Sequence, residues 1–97
     1  MEQRKPTHPG EILYEDIIKP LNITIADAAN DLGISRKTLS EIIHGKCSIT
    51  LEMAIRISEA TDTSPESWLN MQIKLDLWKI NNTKTFKITK FTQEISA

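Results

Sequence analysis

The run Ser35-Arg36-Lys37-Thr38-Leu39-Ser40-Glu41-Ile42-Ile43-His44-Gly45-Lys46 packs hydrogen-bonding side chains around three apolar positions. Arg36 and Lys37 can donate to guanine O6 and N7 or to phosphate. Thr38 and Ser40 can bond to either. Ser35, with the free N–H groups of a helix start behind it, favours a phosphate. Lys46 stands just past the helix end, placed for a backbone contact. Glu41 would repel phosphate, so it is expected to read a cytosine amine or to hold Arg36 or Lys37. His44 is expected to cap the helix C-terminus, where the dipole favours a cation; a phosphate contact is the alternative. Thr24, at the start of the preceding helix, completes the candidate DNA-binding set.

The same inventory speaks against catalysis. The sequence has no Ser/His/Asp set, no cluster with metal-ligand spacing and no glycine loop for a nucleotide. Asp27 and Asp31, four apart, read as a solvated helix face and a cap. The single cysteine, Cys47, excludes an intrachain disulfide and any multi-cysteine metal site, and His8 is too isolated to be a ligand. No enzyme activity, metal or cofactor is expected.

The polar run needs a scaffold, and helix punctuation supplies one. A first helix follows His8-Pro9-Gly10 with Ile12, Leu13, Tyr14 and Ile17 as its apolar stripe and Pro20 as its end. Thr24 caps a second, with Asp27 in a capping-box position; Ile25, Ala28, Ala29 and Leu32 face inward and Gly33 stops it. Ser35 caps a third, anchored by Leu39, Ile42 and Ile43 and ended by Gly45 in a left-handed conformation. Thr50 caps a fourth, in which Leu51, Ala54, Ile57, Ser58 and Ala60 recur at helical spacing up to Thr61-Asp62. Ser64 and Pro65 open a fifth, which carries Trp68, Leu69, Gln72, Ile73 and Leu75 to about Trp78. Helices two and three, joined by a sharp turn at Gly33-Ile34, form a helix-turn-helix. Its apolar anchors present the outer face of the third helix to a major groove.

At 97 residues the chain is one domain, expected over residues 8–80, with a C-terminal extension over 81–97 that reads as a short strand or a flexible arm. No apolar run approaches the ~18 residues of a membrane span, and the N-terminus lacks a signal-peptide core. A cytoplasmic protein is expected. The net charge of −1 excludes a nonspecific basic coat for nucleic acid. Its distribution does not exclude a specific reader. Arg36, Lys37 and Lys46 stand against Glu41, and Lys79, Lys84, Lys87 and Lys90 against Glu94. Glu11, Glu15, Asp16, Asp27 and Asp31 stand against Lys19 in the first two helices.

The segment 24–46, set among five helices, resembles the phage-repressor (Cro/C1-type, or Xre) DNA-binding family. HPGEIL at 8–13, LGISRKTLSEIIHGK at 32–46, ITLEMAIRISEA at 49–60 and TSPESWLNMQIKLDLW at 63–78 are similar to the HigA-type antitoxins. Two positions depart from that pattern. Ile25 stands where relatives often carry a DNA-contacting Gln, and His44 where Asn is common. The resemblance implies an all-α, five-helix, lambda-repressor-like fold. It also implies a homodimer on double-stranded operator DNA, autorepression, and a HigB-like toxin of the RelE type as partner. The dimer would place two recognition helices about 34 Å apart on an inverted repeat. Trp78, Phe86 and Ile88 are the expected dimer contacts. A free-standing repressor without a toxin and a purely protein-binding helical module are the competing readings.

Overall fold

The computed structural model describes residues 4–83 and 85–92. Among them lie five helices and no strand. Helix α1 opens as Pro9–Ile12, widens into a π-helical stretch over Leu13–Ile18 and closes as Lys19–Leu21. It is followed by α2 (Ile25–Leu32), α3 (Arg36–Ile43), α4 (Leu51–Thr61) and α5 (Pro65–Thr83).

The caps are those expected from the sequence. The hydroxyls of Thr24, Ser35 and Thr50 accept from the N–H groups of Asp27, Thr38 and Met53 at 3.0, 3.0 and 3.1 Å. Ser64 accepts from Ser67 N–H at 3.2 Å, ahead of Pro65 at the first helical position. Gly33 (φ 74°) and Gly45 (φ 71°) take the left-handed conformation that ends α2 and α3. Asp62 does the same after α4, at φ 57°, a region that Asn and Asp tolerate better than other side chains.

Two helix ends differ from the sequence reading. Pro20 does not stop α1; the chain turns at Asn22, also at φ 57°. In a regular α-helix the Pro20 ring would strike the carbonyl four residues back. Here Lys19 N–H reaches five residues back to Tyr14 O, and the wider turn accommodates the ring. The fifth helix does not end near Trp78 but continues to Thr83. Its last turn is tied down by Asn82 Nδ2 donating to Trp78 O and Thr83 Oγ1 donating to Lys79 O. Residues 85–92 form no strand and lie exposed.

Helix α1 packs on α3 and α5, α2 crosses α3 and rests on α4, and α4 lies along α5. The small Ala28 and Ala29 let α2 approach its neighbours closely. Leu13, Ile18, Leu32, Leu39, Ile42, Ile57 and Trp68 fill the centre. Leu51, Ala60 and Ile73, read as helix-face residues, are exposed instead. No helix among the described residues is long and apolar enough to cross a membrane.

Three polar side chains are buried among the described residues, His8, Ser58 and Gln72, and the last ties two elements together. Gln72 is buried, accepts Ile49 N–H on Oε1 at 2.8 Å and donates from Nε2 to Asp76 at 2.9 Å. It thereby pins the loop between α3 and α4 to α5. Gln72→Leu removes the only acceptor described for the Ile49 N–H. The expected loss is about 1–3 kcal/mol, read as a lower urea midpoint at unchanged slope.

Candidate nucleic-acid interface

The outer face of α3 is open along its whole length. Arg36 and Lys37 are exposed in the first turn, Ser40 is half-buried, and Glu41, His44 and Lys46 are exposed. Leu39, Ile42 and Ile43 point into the core. Arg36, Lys37, Ser40, Glu41 and His44 thus share the outer side of α3, Ser35 and Lys46 flank its two ends, Thr38 is half-buried at its edge, and Thr24 sits apart at the start of α2.

The hydroxyls at the helix start are already ordered. Ser35 Oγ accepts from Thr38 N–H and donates its proton to Thr38 Oγ1 at 2.8 Å. That leaves the Thr38 hydroxyl proton for an outside acceptor, and the Arg36 and Lys37 N–H groups without partners inside the helix. Both features suit a phosphate oxygen.

His44 caps the other end, as expected: its Nδ1–H donates to Ser40 O at 2.7 Å. In the neutral ring Nε2 is then an acceptor, so a phosphate contact requires the second proton. Glu41 does not hold Arg36 or Lys37. The ion pairs among the described residues are Glu15–Lys19 at 3.5 Å and Glu52–Arg56 at 2.9 Å. Glu41 acts instead on Cys47, whose exposed thiol is pushed above its ordinary value by partial desolvation and by that carboxylate. At neutral pH this thiol stays protonated and is a poor nucleophile.

The pose of α3 is set at both ends by residues outside it. At the turn, Arg56 reaches across from α4. Its Nη1 donates to Leu32 O at 2.9 Å and to Gly33 O at 3.4 Å, satisfying carbonyls at the end of α2. Its Nε and Nη2 are held by Glu52 Oε2 at 3.0 and 2.9 Å. At the far end, His8 is buried between two segments. Gly10 N–H donates to Nδ1 at 2.9 Å, and Nε2–H donates to Cys47 O at 2.9 Å. Gly10 meets α3 backbone to backbone: a Cβ there would lie 1.9 Å from Ile42 O.

A helix-turn-helix family model matches residues 15–68. An uncharacterised helix-turn-helix transcriptional regulator of Haemophilus influenzae is 45% identical over 90% of this chain and 81% of its own length. Antitoxin HigA-1 of Vibrio cholerae is 36% identical over 82% and 75%. The chain belongs to the HigA-type helix-turn-helix family. The solved structure of Pseudomonas aeruginosa antitoxin HigA with the higBA promoter superposes with a TM-score of 0.76 at 34% identity, over 79% of this chain and 84% of that one. HigA-type proteins are DNA-binding regulators, not enzymes.

The HigA-type frame gives the HPG motif a structural meaning that local reading missed. His8 is not isolated; it joins the start of α1 to the loop that follows α3, a contact 39 residues apart in sequence. Arg56 carried one legible signal, Glu52 four residues before it, but its link to the turn did not show. Ile25 packs half-buried against the core and offers DNA no polar group. Trp68 is the core tryptophan, with Nε1–H donating to Thr63 Oγ1 at 2.7 Å. Trp78 is half-buried, with the Lys5 ammonium 6.0 Å from its ring centroid. Phe86 and Ile88 are exposed.

Replacing Arg56 by Ala strips the α2 carbonyls of a charged donor and frees the turn. The expected loss of stability is about 1.5–3 kcal/mol, measured by thermal or urea unfolding. Amide exchange should rise at Gly33 and Ile34 more than in α5.

Proposed function

We propose that the chain is an antitoxin of a type II toxin-antitoxin system. It binds an inverted-repeat operator as a homodimer through α3 and represses its own transcription in the cytoplasm. It neutralises a HigB-like RNase toxin encoded beside it. The observation that carries the DNA half is the open, preordered face of α3, with Arg36, Lys37, Thr38 and Ser40 around a helix start. Ser35 and Thr24 act through the backbone as caps rather than as direct readers. Glu41 is left for a cytosine amine, and Lys46 for a phosphate beyond the helix. Trp78, Phe86 and Ile88 supply the self-complementary apolar contact that an isologous dimer needs.

The toxin half is supported by the similarity to Vibrio cholerae HigA-1. A free-standing repressor is the second reading, favoured by the 45% identity to a helix-turn-helix transcriptional regulator. Co-expression with the adjoining gene separates them. A neighbouring product of small size and basic charge should arrest growth when made alone, and this chain should restore it. If no such gene adjoins this one, or growth is not restored, the free-standing repressor stands.

A further inference from the structure

We propose that the exposed tail over residues 85–92 of one copy docks in an acidic-rimmed apolar groove of a second copy, between α1, α2 and α4. The proposal rests on the homodimer reading above and specifies where the tail goes. The groove is a cavity of about 120 Å³ whose lining includes Ile17, Leu21, Ile23, Asp31 and Ala60. Leu21 and Ile23 are 63% and 38% exposed at its edge, a surface that a chain in water gains by covering. No residue of α3 lines it, so an occupant leaves the DNA-reading face open.

The charge around the groove selects the occupant. Asp31 stands in the wall, and Asp27 one turn earlier on α2 is exposed. Asp16 and Asp62 are exposed and adjoin the lining residues Ile17 and Thr61 in sequence. The nearby cation on α1, Lys19, is paired with Glu15. A segment that mixes apolar and basic residues matches this surface, and the chain carries one: Phe86-Lys87-Ile88-Thr89-Lys90-Phe91. Its apolar side chains are stranded in water, with Phe86, Ile88 and Phe91 at 63%, 79% and 85% exposure. In an extended strand Phe86 and Ile88 fall on one side. The cavity has room for one such side chain at a time, and Lys87 and Lys90 reach the carboxylates on the rim.

The test is an intermolecular NOE measurement on a sample mixing isotope-labelled and unlabelled full-length chain, paired with sedimentation of two variants. The expected result is NOEs from the Phe86 ring and the Ile88 methyls of one copy to the Ile17, Leu21 and Ile23 methyls of the other. Ala60→Trp, which fills the groove from an exposed position, and Ile88→Asp, which spoils the tail, should each raise the dimer Kd about tenfold or more. Circular dichroism should show unchanged helix content. A dimer that lacks these NOEs and is unaffected by Ala60→Trp overturns the groove assignment and leaves the homodimer standing. A wild-type chain that sediments as a monomer at high micromolar concentration overturns both.

Discussion

Gly10→Ala is expected to destabilise the domain by about 3 kcal/mol or more, against a total of about 5–15 kcal/mol for a domain of this kind. The sign is the informative part. Gly10 lies in the first turn of α1, and at an ordinary helical position replacing Gly by Ala stabilises by about 0.5–1 kcal/mol. Here the added methyl would sit 1.9 Å from Ile42 O and 2.6 Å from Ile42 C. Both are backbone atoms of α3, so no rotamer change relieves the clash and α1 must back away. Retreat pulls His8 from Cys47 O and loosens the C-terminal end of α3. For a domain of this size about 1 kcal/mol corresponds to about 4–8 °C in Tm, so a fall of about 12 °C or more is expected by calorimetry. A Tm equal to or above that of the wild type would show that α1 does not rest on Ile42.

Arg36→Ala and Lys37→Ala are expected to weaken operator binding severely while leaving the fold intact. Both side chains are exposed and outside the ion pairs among the described residues, so their loss opens no cavity. One good contact to a base pair is worth about 1–3 kcal/mol. A symmetric dimer presents each residue twice, so one substitution removes about 2–6 kcal/mol, or roughly 30-fold to 10⁴-fold in Kd. The two need not behave alike. A residue that reads guanine should lower specific binding and relax preference at one position. A residue on phosphate should weaken all duplexes together and flatten the salt dependence. Gel shifts on the cognate and a scrambled duplex separate these outcomes, with far-ultraviolet circular dichroism as the control. Unchanged binding in both variants would remove α3 as the reading element.

The parts of this architecture that local chemistry determines were legible in the sequence. Thr24, Ser35, Thr50 and Ser64 announce helix starts because a hydroxyl there satisfies an N–H three residues on. Gly33 and Gly45 announce helix ends because the left-handed turn costs them little. Leu39, Ile42 and Ile43 declare the buried side of α3, and so by subtraction its open side. What stayed hidden depends on partners far along the chain. His8 acquires its role from Cys47, Gly10 from Ile42, Arg56 from Leu32 and Gln72 from Ile49. None of these pairings leaves a periodicity to read. Pro20 misled for a different reason: the rule that proline ends a helix assumes α geometry, and the π stretch before it removes the clash. The fifth helix runs past Trp78 because Asn82 bonds back to Trp78 O and stays helical, a contact that apolar spacing does not announce.

The net charge of −1 fits this picture of a reader rather than a coat. Little affinity for arbitrary DNA is expected from the whole-molecule charge, and the proposed operator reading assigns discrimination to the face of α3. The most direct test is a titration of the wild-type chain on the duplex upstream of its own gene and on a scrambled duplex of equal length, across a range of salt. A preference of about 10³-fold or more for the upstream sequence is expected, with an affinity that falls steeply with salt as phosphate counterions are released. Equal affinity for the two duplexes, or none for either, would contradict the operator reading.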